Sequence, residues 1–412
     1  MIKRFYLKHH IFHIKAIFAV LKDVFENGVF ADKAIEKVMR GNKKWDVRER
    51  SFVSDVSYDL IRNWRLLNTA AGVEGKLSDR NLWMIFGTYL VFDGYELPDS
   101  EYFKNVNEKK VISQLEKFSK IRKIRESVPD WLDVMGEKEL GSSWDKTLRA
   151  LNQRPSMVLR ANSLRITPKE LQKKLEEEEA ANISETSLIT WSPDAVELKY
   201  PRNVFRTEAF HKGLFEVQDA ASQMVSEYLN VAPGMRVIDA CAGAGGKTLH
   251  LAALMKNKGR IIAMDTKEKK LAELKKRATR AEVNIIETRT IDSSKVIKRL
   301  KGTADRLLLD VPCSGLGVLR RNPDSKWKLT PEEIERVKKI QREILSNFSD
   351  MVKLGGKMVY ATCSILPAEG EEQVKWFLNE VGDQWNFIGE KRYLPEIHHA
   401  DGFYMALLER VK

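Results

Sequence analysis

The sequence predicts an α/β protein whose carboxy-terminal half is a parallel sheet with helices on both faces, preceded by an all-helical segment and a small α/β segment. Three observations carry this prediction. Beyond about Phe215, short apolar runs alternate with amphipathic ones, the pattern of repeated strand–helix–strand units. Up to about Ala150, apolar residues such as Phe52, Val56, Leu60, Trp64 and Leu67 recur at spacings of three and four, which draws one stripe along a helix. The stretch between mixes short strand-like runs with one helix. A chain of 412 residues exceeds the roughly 250–300 at which a single core stops growing, so we divide it at 1–150, 151–215 and 216–412.

Taken in order, Met1 to Val20 is basic and then apolar. Lys15 interrupts the apolar part and no small-residue cleavage site follows, so this is a first amphipathic helix and not a signal peptide. Breaks at Glu26-Asn27-Gly28, Gly41-Asn42 and Gly72 to Ser78 connect the helices. The aromatic residues of this segment fall at helical spacing and are expected in its core. In the middle segment, strands are expected at Met157 to Arg160 and Val196 to Tyr200. Thr167-Pro168-Lys169-Glu170 opens a helix with a capping box and a first-turn proline. That helix runs into the acidic block Glu176 to Glu179, a solvated helix end that would repel RNA.

In the last segment the expected strands are Arg236 to Ala240, Arg260 to Asp265, Ile285 to Thr290, Arg306 to Asp310 and Lys357 to Thr362. A closing pair, Trp385 to Ile388 and Phe403 to Arg410, is expected at an antiparallel edge. A helix capped by Thr330 continues to about Val352, and the basic helix Lys267 to Arg280 is expected to present a solvated face.

Composition limits the function classes. The formal charge of +12 makes a polyanion, nucleic acid first, a natural partner, although the basic excess is spread along the chain. Three cysteines at long spacings suggest neither a disulfide framework nor a zinc site, which points to a reducing cytoplasm. The seven histidines have no ligand-like spacing, so no metal is expected. No run approaches the ~20 apolar residues of a membrane span.

Val237 to Thr248 reads as a strand, a glycine-rich turn (Cys241, Ala242, Gly243, Ala244, Gly245, Gly246, Lys247) and a helix start, a place where a ligand meets backbone closely. It does not fit GxGxxG or GxxxxGK[ST], which disfavours a nucleotide-driven ATPase. Asp265 ends the next strand, where an acid accepts bonds from ribose hydroxyls, and Asp292 follows the third strand within reach of an adenine amino group. An adenosine-bearing cofactor at the carboxyl edge of the sheet is therefore expected. Two cysteines follow two later strands, in Asp310-Val311-Pro312-Cys313-Ser314-Gly315 and Tyr360-Ala361-Thr362-Cys363-Ser364. Strand carboxyl ends line the ligand crevice in such sheets, so both thiols are expected to face one pocket. Cys241 lacks such company and is left as a structural or backbone-contacting residue.

DACAGAGGKT at 239–248, DVPCSGLGVLRRNPDSKW at 310–327 and YATCSILP at 360–367 resemble the Sun/Nop family of RNA 5-methylcytosine methyltransferases. The similarity extends through Gln218 to Gln223 and Leu159 to Arg165. The stretch around Asp46-Val47-Arg48-Glu49-Arg50 is similar to the NusB-type RNA-binding domain of the bacterial small-subunit ribosomal RNA members.

The resemblance implies a class I, Rossmann-like methyltransferase domain at 216–412 behind two RNA-binding segments, with S-adenosylmethionine as cofactor and cytosine in RNA, most readily 16S ribosomal RNA, as substrate. It implies Cys363 as nucleophile and Cys313 as the residue that resolves the adduct. Asp310 would hold the base, with Lys247 beside it favouring anionic forms and lowering a thiol pKa. It places the cofactor on Cys241 through Lys247, with Asp265 at the ribose, Asp292 at the adenine and Asp310 near the methionine end. The family carries Glu-Asn-Glu after its proline, whereas this chain reads Glu369-Gly370-Glu371. Two other readings compete: a transfer RNA cytosine methyltransferase with the same chemistry, and an RNA-binding ribosome-assembly factor without catalysis. Nothing in the sequence demands a dimer, and a monomer is expected.

Overall fold

In the computed structural model, the described residues are 3–178, 183, 185–200 and 203–412. They gather into two compact units, one of residues up to Gln153 together with Leu319–Leu329, the other of Arg154–Val318 and Thr330–Lys412. Leu319–Leu329, which the sequence places within the 216–412 segment, is thus built into the helical unit. No helix among the described residues is long and apolar enough to cross a membrane.

The helical unit forms because its stripes find one another. Helices Leu7–Phe25, Ala31–Gly41, Val47–Arg62, Trp64–Ala71 and Asp79–Phe92 bury Ile14, Ile17, Leu21, Leu60, Ile61, Leu67 and Phe86 in a single core. Each interruption has a local cause. Asp46 caps the third helix by accepting from the Glu49 amide at 2.9 Å, and Glu49 returns the bond to the Asp46 amide at 2.7 Å. Gly72 ends the fourth with a φ of 65°, a left-handed conformation that favours glycine. Many of the aromatic residues join the core as expected, with Trp64 stacked on Phe25 at 3.9 Å between ring centroids, whereas Tyr6, Phe12, Phe30, Phe92 and Tyr102 stay exposed.

Leu319–Leu329 is pinned in this unit by polar bonds. The Lys326 ammonium is buried and donates to the carbonyls of Arg62 (2.7 Å) and Glu126 (3.1 Å) and to Asn152 Oδ1 (3.0 Å). Three acceptors match its three protons. Trp327 Nε1 donates to the Ile61 carbonyl at 3.2 Å, and Asp324 accepts from the Ala31 amide at 3.0 Å.

The second unit opens with a four-stranded antiparallel sheet in the order Thr186–Leu188, Ala195–Leu198, Met157–Ala161, Phe215–Val217. Helix Pro168–Glu177 packs Leu171 and Leu175 into its core behind the expected Thr167–Glu170 capping box. Two of the strands, Thr186–Leu188 and Phe215–Val217, have three residues each and no readable alternation. Of the acidic block, Glu179 lies outside the described residues, and Glu178 accepts from the Glu208 amide.

The large sheet comprises β1 (Arg236–Asp239), β2 (Arg260–Asp265), β3 (Ile286–Thr290), β4 (Ala304–Asp310), β5 (Val352–Thr362), β6 (Trp385–Tyr393) and β7 (Phe403–Arg410). Their spatial order is β6-β7-β5-β4-β1-β2-β3. All pairs through β5 are parallel, and β7 runs antiparallel to both β5 and β6. The chain reverses direction across the sheet between β1 and β4, which opens a crevice at their carboxyl ends. Apolar clusters on both faces bury it: Leu249, Leu251, Leu271 and Leu274 on one side, Leu345, Phe348, Val374 and Phe377 on the other.

In the large sheet and its flanking helices, three boundaries differ from the sequence reading by more than two residues. The helix capped by Thr330 ends at Phe348 instead of Val352, because Ser349–Met351 tightens into a 3₁₀ turn. Val352 then starts β5 early by pairing with Ala304. β6 runs on to Tyr393, since pairing with β7 resumes beyond an irregularity between Phe387 and Gly389. The helix Glu268–Arg280 presents the expected solvated face, with Lys269, Lys270, Lys275 and Lys276 exposed, while its other side buries Leu271, Leu274 and Ala278, and Arg277 and Arg280 pair with the buried Glu216 at 2.9 and 2.5 Å.

Candidate active site

The turn after β1 begins a cavity of about 700 Å³, within the range usual for small-molecule sites. Its lining includes Cys241, Ala242, Gly243, Ala244, Gly246 and Lys247 from the turn, Asp265 from the end of β2 and Asp310 from the end of β4. Asp265 shapes the turn as well as facing the cavity: its Oδ2 accepts from the Gly243 amide at 2.9 Å and its Oδ1 from the Lys267 amide at 2.8 Å. Buried Arg160, from the small sheet, donates to the Gly246 carbonyl at 2.6 Å and to Gln218 Oε1. Arg277 holds the Ala244 carbonyl at 2.8 Å. The turn is therefore fixed from several sides before any ligand arrives, which lowers the cost of binding.

Two expected cofactor residues are not among the lining residues. Gly245 has a φ of 86°, and a Cβ there would stand 2.4 Å from Leu274 Cγ. Its smallness lets the turn pack on the Glu268–Arg280 helix. Asp292 is exposed, takes a bond from Ser293 Oγ at 3.0 Å and is not among the lining residues; neighbouring Ile291 is. Conversely, Gln218, Ser222, Ile340, Ile344 and Phe348 line the cavity although nothing in their local sequence announced it. Only the signal around Gln218, within the family-like segment 218–223, could have been used.

Lys247 Nζ donates to Asp310 Oδ2 at 2.7 Å across the cavity. Burial would push this ammonium down, but the charge and hydrogen bond of the Asp310 carboxylate outweigh it and raise its pKa. The charge is thus held at the point where β1, β4 and β5 converge. Asp239, at the end of β1, is almost fully buried. Burial pushes its carboxyl up to about 7, even though Thr248 Oγ1 donates to Oδ2 at 2.6 Å.

The raised Asp239 pKa predicts a pH effect on stability. A carboxyl raised in the fold contributes stability that is full below its unfolded pKa and is lost as pH climbs through the folded value, here about 7. Asp239→Asn removes the titration. The variant should be more stable than the parent at pH 9 by at least about 2 kcal/mol, the gap narrowing below pH 7 and closing only below about pH 4. Melting curves across that range measure it, and parallel curves for the two proteins would refute it.

The two cysteines meet. Cys363 directly follows β5, Cys313 lies in the loop after β4, and their Sγ atoms are 3.1 Å apart. The cavity lining reaches Pro312 but includes neither cysteine, so the thiols lie next to the cofactor-sized space and do not line it as expected. The Cys363 contact and burial push the Cys313 thiol up. Burial likewise raises Cys241.

Gly317 clasps this pair, donating from its amide to the Cys363 carbonyl at 2.9 Å and accepting from the Gly402 amide at 2.8 Å. A Cβ there would fall 2.1 Å from the Gly402 oxygen and 2.7 Å from the Cys363 oxygen. Backbone cannot yield as a side-chain tip can, so Gly317→Ala should displace the Cys363 turn. Methyl transfer should fall by about 100-fold with cofactor affinity nearly unchanged, since the clash lies away from the glycine turn. Unchanged turnover would contradict this.

At Gly370, where the resemblance leads one to expect asparagine, a Cβ would stand 2.9 Å from both Arg392 Nη2 and Tyr404 Cγ. The buried Tyr404 ring and the Arg392 guanidinium, which also bonds Glu371 and the Ile365 carbonyl, fill that place. The fold also gathers Asp194, Glu227 and His250, which no spacing disclosed. His250 Nε2 lies 3.2 Å from Asp194 Oδ2, and burial pushes this histidine down to about 4, a neutral ring bonded to a carboxylate.

Comparison with known proteins places this geometry. The family described as 16S rRNA methyltransferase RsmB/F matches residues 226–409, and the RsmF/B-like ferredoxin-like domain matches residues 128–205. A probable ribosomal RNA small subunit methyltransferase B from Synechocystis is 34% identical over 330 residues, covering 75% of this chain and 71% of that one. Ribosomal RNA small subunit methyltransferase B from Proteus mirabilis is 34% identical over 287 residues, 68% of this chain and 65% of its own length. Among solved structures, PH0851 superimposes with a TM-score of 0.80 at 26% identity, covering 96% of this chain and 99% of that one. A methyltransferase homologue from Pyrococcus horikoshii gives 0.62 at 25% identity, over 70% and 98%. The strand order, the cavity on the glycine turn and these relatives together identify the chain as a member of the RsmB/F family of S-adenosylmethionine-dependent methyltransferases, with a class I catalytic fold.

Proposed function

We propose that this chain transfers the methyl group of S-adenosylmethionine to carbon 5 of a cytosine in 16S ribosomal RNA, with Cys363 as nucleophile and Cys313 as the residue that releases the adduct. The observation that carries the reading is the thiol pair 3.1 Å apart beside the Lys247–Asp310 ion pair. A binding protein has no use for that arrangement.

The cavity suits the cofactor. Backbone from Cys241 to Gly246 admits a flat or extended ligand closely, Asp265 offers acceptors to ribose hydroxyls, and Ile340, Ile344 and Phe348 supply an apolar wall. When bound, the cofactor supplies an electrophilic methyl group. Carbon 5 of cytosine is a poor nucleophile until a thiolate adds to carbon 6, which is the task of Cys363. Asp310 holds the amino and ring-nitrogen edge of the base, and Lys247 stabilises charge that develops on the ring. After carbon 5 is methylated, its proton must leave as the carbon 6–sulfur bond breaks: Cys313, acting as thiolate, takes that proton and becomes a thiol, and Cys363 departs as thiolate.

Carbon 6 is out of a thiol's reach inside a paired helix, so the target must be unstacked first. We assign contact with the surrounding RNA to the helical segment 1–150 and to the small sheet of 151–215, consistent with the overall charge of +12. The test is transfer of labelled methyl to unmodified small-subunit ribosomal RNA and to total transfer RNA, followed by nucleoside analysis. Labelled 5-methylcytosine in the ribosomal pool is expected. Label only in transfer RNA would redirect the substrate, and cofactor binding without label in either would favour an assembly factor.

A further inference from the structure

Each cysteine of the close pair, Cys313 and Cys363, is followed by a serine, and both serines reach the same buried carboxylate. Glu369 is fully enclosed. Its Oε2 accepts from the Ser314 amide at 2.8 Å and from Gln341 Nε2 at 3.0 Å. Its Oε1 accepts from Ser314 Oγ at 2.5 Å and Ser364 Oγ at 2.6 Å. Four donors occupy the four lone-pair positions of one carboxylate, and all four are neutral. Gln341 Nε2 also donates to the Pro312 carbonyl at 3.0 Å, so the Pro-Cys turn is gripped on both sides of Cys313. The Glu369 carbonyl accepts from buried Tyr360 at 2.7 Å, which anchors the glutamate to β5.

Burying a carboxylate with no cation bonded to it is costly, and packing alone would be served by a neutral side chain. What a carboxylate alone provides is acceptance of every donor at once, with short charge-assisted bonds that fix direction. Here the donors come from the residues next to the two thiols. We propose that Glu369 is a positioning residue that locks the Cys313 and Cys363 turns to each other, so that one carboxylate sets both adduct formation and adduct release. The proposal rests on the cysteine roles given above. The negative charge also acts on one thiol: Glu369 adds to the causes that keep Cys313 raised. It touches neither substrate nor cofactor, because the serines and Gln341 surround it.

The test uses the full chain with S-adenosylmethionine and small-subunit ribosomal RNA, reading turnover, cofactor affinity and the fraction of RNA held covalently on denaturing gels. Glu369→Ala should lower turnover by about 100-fold with cofactor affinity unchanged. Ser314→Ala loosens only the Cys313 turn, so gel-stable adduct should accumulate as release slows. Ser364→Ala loosens only the Cys363 turn, so adduct should form more slowly and not accumulate. If Glu369→Ala does not fold, the serine variants decide. Wild-type turnover in all the variants, or reduced turnover with no change in the covalent fraction, would overturn the proposal. Failure of the underlying chemistry would appear separately, as adduct that survives Cys363→Ala.

Discussion

Cys363→Ala should abolish methyl transfer, with a loss of at least about 10⁴-fold, because without a thiol on carbon 6 the ring carbon that must attack never becomes nucleophilic. No covalent RNA should appear. Cys313→Ala should differ in kind: adduct formation survives, release fails, and enzyme accumulates on RNA as a band that resists denaturation. The Sγ atoms are 3.1 Å apart, so distance alone does not assign the roles. The proposed assignment draws its support from the surroundings: charge on Cys363 adds to the causes that raise Lys247, whereas Cys313 is pushed up by its contact with Cys363 and by burial. Adduct trapped by Cys363→Ala and not by Cys313→Ala would exchange the assignments.

The second large effect belongs to the Lys247–Asp310 pair. Asp310→Asn keeps the shape of the side chain and removes its charge, leaving the part-buried Lys247 ammonium without its 2.7 Å partner. Turnover should fall about 10²- to 10³-fold, the range for losing one preorganised electrostatic contact. Lys247→Met should cost a similar factor by exposing the carboxylate to the same imbalance. The double variant should be much less than additive, since each single change already destroys the pair. A full multiplication of the two losses would mean that the residues act independently, and the paired mechanism would fall. Single-turnover rates with saturating cofactor separate this effect from binding.

Much of this was legible in the sequence because it is local. The glycine turn, the two Cys-Ser turns and the strands from Arg236 to Arg410 each announce themselves within a dozen residues, through apolar runs ending in small or acidic residues. Asp265 could be placed because a strand end fixes where its side chain goes. What escaped was whatever depends on distant segments meeting. Glu369 looked like one acid in a departure from the family pattern; its role exists only because Ser314, Ser364 and Gln341 arrive from three other places. Gly245 seemed a ligand contact because glycine next to a binding turn usually is one, yet Leu274 occupies the space beside it. Asp292 stands exposed one residue after the cavity-lining Ile291. Strands of three residues carry too few side chains for any period to register.

The placement of Leu319–Leu329 in the helical unit bears on how the chain is made. A ribosome adding roughly 5–20 residues per second completes Gln153 some ten to thirty seconds before Leu319 emerges. Over that interval the carbonyls of Arg62 and Glu126 and the Asn152 amide have no Lys326 to accept from, and water must serve them. The first helices to be synthesised are therefore among the last to be finished. A fragment cut at Gln153 would remain in that unfinished state permanently, and supplying residues 319–329 as a separate peptide is the way to complete it.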